Sequence, residues 1–318
     1  MAEHLQAGVI ESPEGKGALS ARQPLALGAA LWPGTPLKAH LEQADVVLAV
    51  GSRLAVAGFR PDQDVVQIDI DPEEIGRNHA RTLGLVGDAR ATLESLSAAL
   101  RARSGPRPAP WDDLDALRAA IQATASQEPQ AGILRSLRAG TPDGAIVVPD
   151  MTQIGYYARP FWPVYEPRTY LTSSYSGNLG FAFPTALGAK VARPDRPVVA
   201  ICGDGGFLFN AQELATAVRY GISVVVVVFN DDAYGNVGRD LDETWGGTIG
   251  ADLANPDFMK LADAYGIVGL RAKEPTEVGD LVREAVALDR PVLVEVPVGR
   301  MPRPHFFAPR RTKTKYER

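Results

Sequence analysis

The sequence predicts an α/β protein built from two doubly wound parallel-sheet domains. Three observations carry that expectation. Short β-branched apolar runs recur at 46–50, 65–70, 198–202, 223–229 and 292–296, the pattern of strands buried on both faces. Stretches of helical periodicity separate them, as crossover connections between parallel strands require. The chain also has 318 residues, about two domains' worth, with 45% hydrophobic and 22% charged residues. That composition can offset the ordering entropy of folding, which excludes disorder as the main state.

The elements follow in order. Residues 46–50 (VVLAV) run into Gly51, and 65–70 (VVQIDI) run into Asp71 and Pro72. Asp71 can cap a helix there, Pro72 suits its first position, and Glu73 and Glu74 face its positive end. Residues 89–103 read as an amphipathic helix, completing a first domain over 1–103. Three prolines and a glycine in 104–113 cannot continue a helix or sit in a central strand. Residues 104–128 are therefore a linker with a short helix at 114–125. A second domain spans 129–318, with strands at 145–148, 198–202, 223–229 and 292–296. Its helices are expected at 183–192, 210–220, 256–265 and 276–288. The last nineteen residues hold seven Arg or Lys against one Glu and read as a solvated tail.

Composition also excludes functions. The net charge of −5 gives no support to nucleic-acid binding. The single cysteine, Cys202, allows neither an intrachain disulfide nor a CxxC knuckle, and it reads as an inert core thiol. The four histidines lack metal-ligand spacing, so zinc chemistry is not expected. No apolar run is long enough for a membrane span, and the N-terminus has no signal-peptide pattern, which together predict a cytoplasmic protein.

The chemistry is concentrated in 198–235. There the sequence reads as strand, Gly-rich turn (Gly203, Asp204, Gly205, Gly206), helix, strand and acidic turn (Asn230, Asp231, Asp232). In parallel strands both turns lie at the carboxyl edge of the sheet, so Asp204 and Asp231 are expected as spatial neighbours. Two carboxylates beside glycines that admit an anion suit Mg2+, which keeps coordination places for phosphate oxygens. A GxGxxG fingerprint fails because Leu208 takes the sixth place, and no P-loop or GxSxG elbow is present. A nicotinamide oxidoreductase therefore ranks far behind.

At these residues the chain resembles the thiamine-diphosphate enzymes, whose signature is Gly-Asp-Gly followed about 26 residues later by Asn-Asn or Asn-Asp. Gly177, Asn178, Leu179 and Gly180, with Phe183 and Pro184, are similar to a second element of that family. The acetolactate-synthase-like branch is the nearest resemblance. Residues 129–318 resemble its cofactor-holding domain. Residues 1–103 resemble its central domain, through VVLAVGSRL, VVQIDIDPEEIG and LVGDAR. The resemblance implies Mg2+ ligands at Asp204, Asp231 and the Ala233 carbonyl, with Asp231 standing where the family commonly has Asn. It implies diphosphate contacts from Gly203, Gly205 and Gly206, and a cofactor-side lining from Tyr234 and Gly235. Leu179 would support the bent cofactor, and the Gly177 carbonyl would accept from its pyrimidine amine. Leu179 could instead be a core residue, and Tyr234 a packing one. Trp245 is expected in a glycine-flanked loop.

The resemblance further implies a 2-oxo acid substrate and a carboligase or decarboxylase. The family's activating glutamate lies on a pyrimidine-binding domain that these residues do not resemble. No catalytic residue is thus expected within this chain, which reads as a fragment or as one subunit of a split enzyme, inactive alone and completed by a pyrimidine-binding domain or subunit in a homo- or hetero-oligomer. The alternative is a non-catalytic thiamine-diphosphate-binding subunit. Some relatives hold FAD in the central domain, but residues 51–58 depart from that pattern, so FAD is not expected.

Overall fold

The computed structural model describes residues 1–55, 57–173 and 176–306. The chain divides into two compact units: Met1–Ser12 with Ala21–Thr124, and Pro13–Ser20 with Ala125–Arg318. The sequence expectation differs at two points, since it places 13–20 in the first domain and treats 104–128 as a linker, whereas residues up to Thr124 belong to the first unit and the second resumes at Ala125. Residues 13–20 pack on the second unit because Lys16 Nζ donates to the carbonyls of Trp162 (2.7 Å) and Ala158 (3.4 Å), capping a helix end there.

The first unit holds strands β1 (Val9–Ile10), β2 (Ala26–Gly28), β3 (Val46–Val50), β4 (Asp64–Asp69) and β5 (Thr82–Val86). β1 and β2 form a two-stranded sheet, and β3, β4 and β5 form a three-stranded one, all parallel. The helix expected after Asp71 is only a 3-10 turn, Pro72–Glu74. Asp71 caps it by accepting from the Glu73 N–H (2.9 Å), and Gly76, at φ 71°, diverts the chain at once. The helix Ala89–Arg103 forms, capped by Asp88, with none of its residues buried.

In the second unit, β6 (Ile146–Pro149), β7 (Val198–Gly203), β8 (Val225–Asn230), β9 (Val268–Arg271) and β10 (Val292–Pro297) make one parallel sheet in the order β6-β7-β8-β10-β9. Strand alternation sends Val199, Ile201, Val225 and Val227 to one core, and Val198, Ala200, Cys202, Val226 and Val228 to the other. Helices Gln130–Gly140, Gln153–Phe161 and Val278–Ala287 cover the first core. Helices Ala182–Ala192, Leu214–Tyr220 and Phe258–Ala264 cover the second. Each fully buried Val, Leu or Ile contributes about 1.5–3 kcal/mol relative to exposure, which fixes strand order and register firmly. The expected helix at 210–220 opens with a 3-10 turn, Ala211–Glu213, before its α-helical part.

Two further expectations need correction. Trp245 is not in a loop: it ends the helix Gly235–Trp245, Gly246 takes the left-handed cap, and its ring is 73% exposed. The tail is not simply solvated either. Met301 is buried, Arg300 pairs with Asp242, and Arg303 pairs with Asp240 and Glu243 on that same helix. The remainder of the tail, 307–318, lies outside the described residues, as does Val56 within the stretch considered for FAD. Among the described residues, no helix is long and apolar enough to cross a membrane.

Candidate functional site

β7 and β8 run side by side with Gly203 opposite Phe229, so the segments that follow them leave the sheet together at its carboxyl edge. β7 passes directly into a short helix, Asp204–Leu208, with extended Gly203 at its N-cap. Asp204 is 2% exposed, and its Oδ1 accepts from the Gly205 N–H at 2.9 Å. That amide, expected to face an anion, is thus engaged by the carboxylate beside it. After β8 the chain turns through Asp231 and Asp232, the latter at φ 52°, before the helix that starts at Gly235.

A returning segment secures this turn. The Tyr234 N–H donates to the Ala251 carbonyl (2.7 Å), and the Leu253 N–H donates to the Asp232 carbonyl (2.8 Å). Ala233 thereby bridges Asp252 in antiparallel fashion, which turns its own N–H and C=O away from the returning segment. The Ala233 amide faces the carboxylates of both Asp204 and Asp231, helping each to ionise. Its carbonyl lies along the same side.

The electrostatics follow from burial. Burial, then the neighbouring Asp204 charge, pushes Asp231 up to about 7. Burial also raises Asp204, opposed by the Gly205 amide and the Asn255 side chain. A buried acid beside a half-buried one, each raising the cost of ionising the other, makes a site lacking positive charge. Among the described residues, no group of three or more His, Cys, Asp and Glu gathers as a metal cluster; the oxygen donors that converge here are Asp204, Asp231 and the Ala233 carbonyl, with Asp232 turned to the Asn255 amide. Oxygen donors in that number suit a hard cation that keeps other ligands, and do not suit zinc.

The glycines are required by close approach. A Cβ on Gly205 would lie 2.4 Å from the Tyr234 ring, and one on Gly235 would lie 2.3 Å from Asp231 Oδ2. On Gly206 it would meet Asp150 Oδ2 at 2.9 Å. Asp150, just beyond β6 and 3% exposed, accepts from the amides of Met151 (2.9 Å) and Gly180 (3.0 Å). It ties the 177–180 wall to the Gly206 turn, and Asn210 Nδ2 donating to the Gly180 carbonyl (2.6 Å) adds a second tie. Gly177, at φ 62°, turns the chain beside Met151. Leu179 is 41% exposed, which removes the core reading for that residue. Cys202 is fully buried, and burial pushes its thiol up, away from nucleophilic duty.

Sequence reasoning missed Asp150 and Asn255. Asp150 follows a strand end as Asp204 does, so the same rule finds it once β6 is placed. Asn255 sits within the long connection between the helices Gly235–Trp245 and Phe258–Ala264, where no local pattern marks it.

With this geometry in place, two family matches locate the chain. Residues 150–296 match the C-terminal TPP-binding domain of thiamine pyrophosphate enzymes, and residues 1–96 match the central domain of the same enzymes. Similar proteins include a probable acetolactate synthase large subunit of Methanococcus aeolicus, 31% identical over 93% of this chain and 54% of that protein. The acetolactate synthase isozyme 3 large subunit of Escherichia coli is 34% identical over 93% of this chain and 55% of its own length. A probable 2-ketoarginine decarboxylase of Pseudomonas aeruginosa is 35% identical over 89% and 52%, respectively. The chain spans about half the length of the curated relatives it matches.

Proposed function

From the premise that the chain belongs to the thiamine-pyrophosphate-dependent enzymes and is acetolactate-synthase-like, we propose that it works with Mg2+ in decarboxylation or carboligation of 2-oxo acids. The observation that carries this reading is the pair of buried Asp204 and half-buried Asp231 at adjacent strand ends, with Asp231 raised to about 7. Such a pair is costly to ionise and is relieved by a divalent cation. Asp204, Asp231 and the Ala233 carbonyl would hold that cation, and the diphosphate would complete its shell. Gly203 and Gly206 would line the diphosphate, with Gly205 orienting Asp204 through its N–H. Tyr234 and Gly235 would border the cofactor, while Leu179 and the Gly177 carbonyl would meet its pyrimidine side.

When bound, thiamine diphosphate supplies an electron sink for a carbanion beside a departing carboxylate. The work of this chain is to bind, neutralise and orient that group. The carboxylates described at this edge are already committed: Asp204 and Asp231 to a cation, Asp150 to amides, and Asp232 to the Asn255 side chain. Proton transfer at the pyrimidine therefore calls for a further acid, which we assign to a pyrimidine-binding domain, whichever chain carries it. The central unit is assigned no flavin, and the protein a cytoplasmic setting.

The test is CO2 release from pyruvate with saturating Mg2+ and thiamine diphosphate. These 318 residues alone should turn over negligibly, and addition of a matching pyrimidine-binding domain should restore turnover. Robust turnover by these residues alone would overturn the assignment of the missing acid. Absence of any 2-oxo acid chemistry after complementation would favour a chain that only binds the cofactor.

A further inference from the structure

The side-chain amide of Asn255 reaches both turns. Its Nδ2 lies 2.7 Å from Asp204 Oδ2, 2.9 Å from Asn230 Oδ1 and 3.1 Å from Asp232 Oδ1. Three oxygens converging on one NH2 group also fix which way the amide points, because the reversed amide would set oxygen against oxygen. One side chain therefore joins the turn after β7 to the turn after β8. The far side of the join is anchored as well. Asn230 Nδ2 donates to Glu295 Oε1 (3.0 Å), and Glu295, buried on β10, accepts from Arg271 Nε (2.6 Å). Arg271 in turn donates to Asp257, two residues beyond Asn255 and the N-cap of the next helix.

This network closes on itself, and Asn255 is its only direct contact with Asp204 among the described bonds. A second observation points toward a ligand. The Oδ1 of Asn255 is buried without a hydrogen-bond partner among the described residues. A buried acceptor left unmatched is costly, and water held at the site would supply it a donor.

We propose that Asn255 is a positioning residue of the cation site: its amide clasps Asp204 to the 230–232 turn, so that the two carboxylates stand ready before the cation arrives. The proposal rests on the cation-site reading above and deepens it. Without the clasp, Asp204 and the acidic turn would repel one another and separate, and cation binding would have to restore their approach. Divalent-ion selectivity should suffer too. Mg2+ and Mn2+ need a tight octahedral site, whereas Ca2+ tolerates a loose one.

The test uses the full chain with Mn2+ alone as the probe, read from the free-ion electron paramagnetic resonance signal, with Ca2+ as competitor. Asn255→Ala and Asn255→Leu should each weaken Mn2+ about tenfold, the loss expected for hydrogen bonds to charged groups. They should weaken Ca2+ less, so the preference for Mn2+ narrows. Asn255→Leu nearly keeps the volume and serves if the alanine variant fails to fold. Unchanged Mn2+ affinity, or equal losses for both ions, would overturn the clasp. Asp204→Ala separates the two ideas. If it abolishes Mn2+ binding while Asn255 variants do not weaken it, the clasp fails and the cation site stands. If Mn2+ binding survives Asp204→Ala, the site reading itself falls.

Discussion

Two turns in this chain begin alike and end differently. After β4 the sequence runs Asp69, Ile70, Asp71 and Pro72; after β7 it runs Gly203, Asp204, Gly205 and Gly206. Both place an acid at the carboxyl end of a parallel strand. Asp71 is exposed and caps one 3-10 turn, and Asp88, just beyond the neighbouring strand β5, is exposed too and caps the helix Ala89–Arg103. Asp204 is buried, its strand neighbour ends in a second acidic turn, and Asn255 bridges the two. Burial makes the difference. In the second unit helices cover both faces of the sheet, so charges at its edge are desolvated and must find partners. In the first unit β5 is largely exposed and the helix Ala89–Arg103 buries nothing, so an acid there stays solvated and does local work.

The comparison is broken most directly by removing each acid. Asp204→Ala should weaken Mg2+-dependent thiamine diphosphate binding by roughly 100-fold or more, about 3 kcal/mol, and should abolish the rise in melting temperature that the pair confers. If that rise survives in the variant, burial at this edge has some other purpose.

The next test concerns space. Gly205→Ala would drive a methyl into the Tyr234 ring, held between the turn and the 251–253 segment, and should cost about 1–3 kcal/mol by urea denaturation. Gly84→Ala in the first unit meets the Ile75 side chain first, at a nominal 2.3 Å, and Gly84 itself is exposed. The exposed strand can shift outward to make room for it, so the cost should be smaller. Equal costs would mean that the two edges are equally rigid.

How much of this was legible in the sequence depends on range. The parallel α/β class was readable because residues 198–202, 223–229 and 292–296 are continuous apolar runs, and only strands buried on both faces require that. The pairing of Asp204 with Asp231 was readable because adjacency of β7 and β8 fixes it. Asn255 was not, since its contact depends on where a long connection returns. Trp245 misled because glycines on one side of it suggested a loop, whereas Gly246 is the left-handed stop of a helix. Arg300 and Arg303 read as solvated charge because their partners, Asp240, Asp242 and Glu243, lie about sixty residues earlier.

A pH series sharpens the electrostatic half of the comparison. The folded-state value of Asp231, about 7, lies above its ordinary value near 3.8, so the folded chain holds the extra proton between them. Metal-free stability should therefore fall as pH rises from about 4 to about 7, while cation affinity rises over the upper part of that range. Asp231→Asn should flatten the stability slope. A slope unchanged in that variant would assign the titration elsewhere. The smallest effect belongs to the solvated acid. Asp71→Ala should cost about 1 kcal/mol or less by thermal denaturation, the loss of one cap, and should leave cofactor binding untouched. A loss of cofactor affinity there would contradict the division of labour between the two turns.

The central claim is that the turns after β7 and β8 hold a cation which in turn holds the diphosphate. Calorimetric titration of the purified chain with thiamine diphosphate, with excess Mg2+ and again with a chelator, tests it most directly. The account predicts one saturable site with Mg2+, loss of that binding in chelator, and loss in Asp204→Ala even with Mg2+ present. Binding of equal strength in chelator, or unchanged binding in Asp204→Ala, would contradict it.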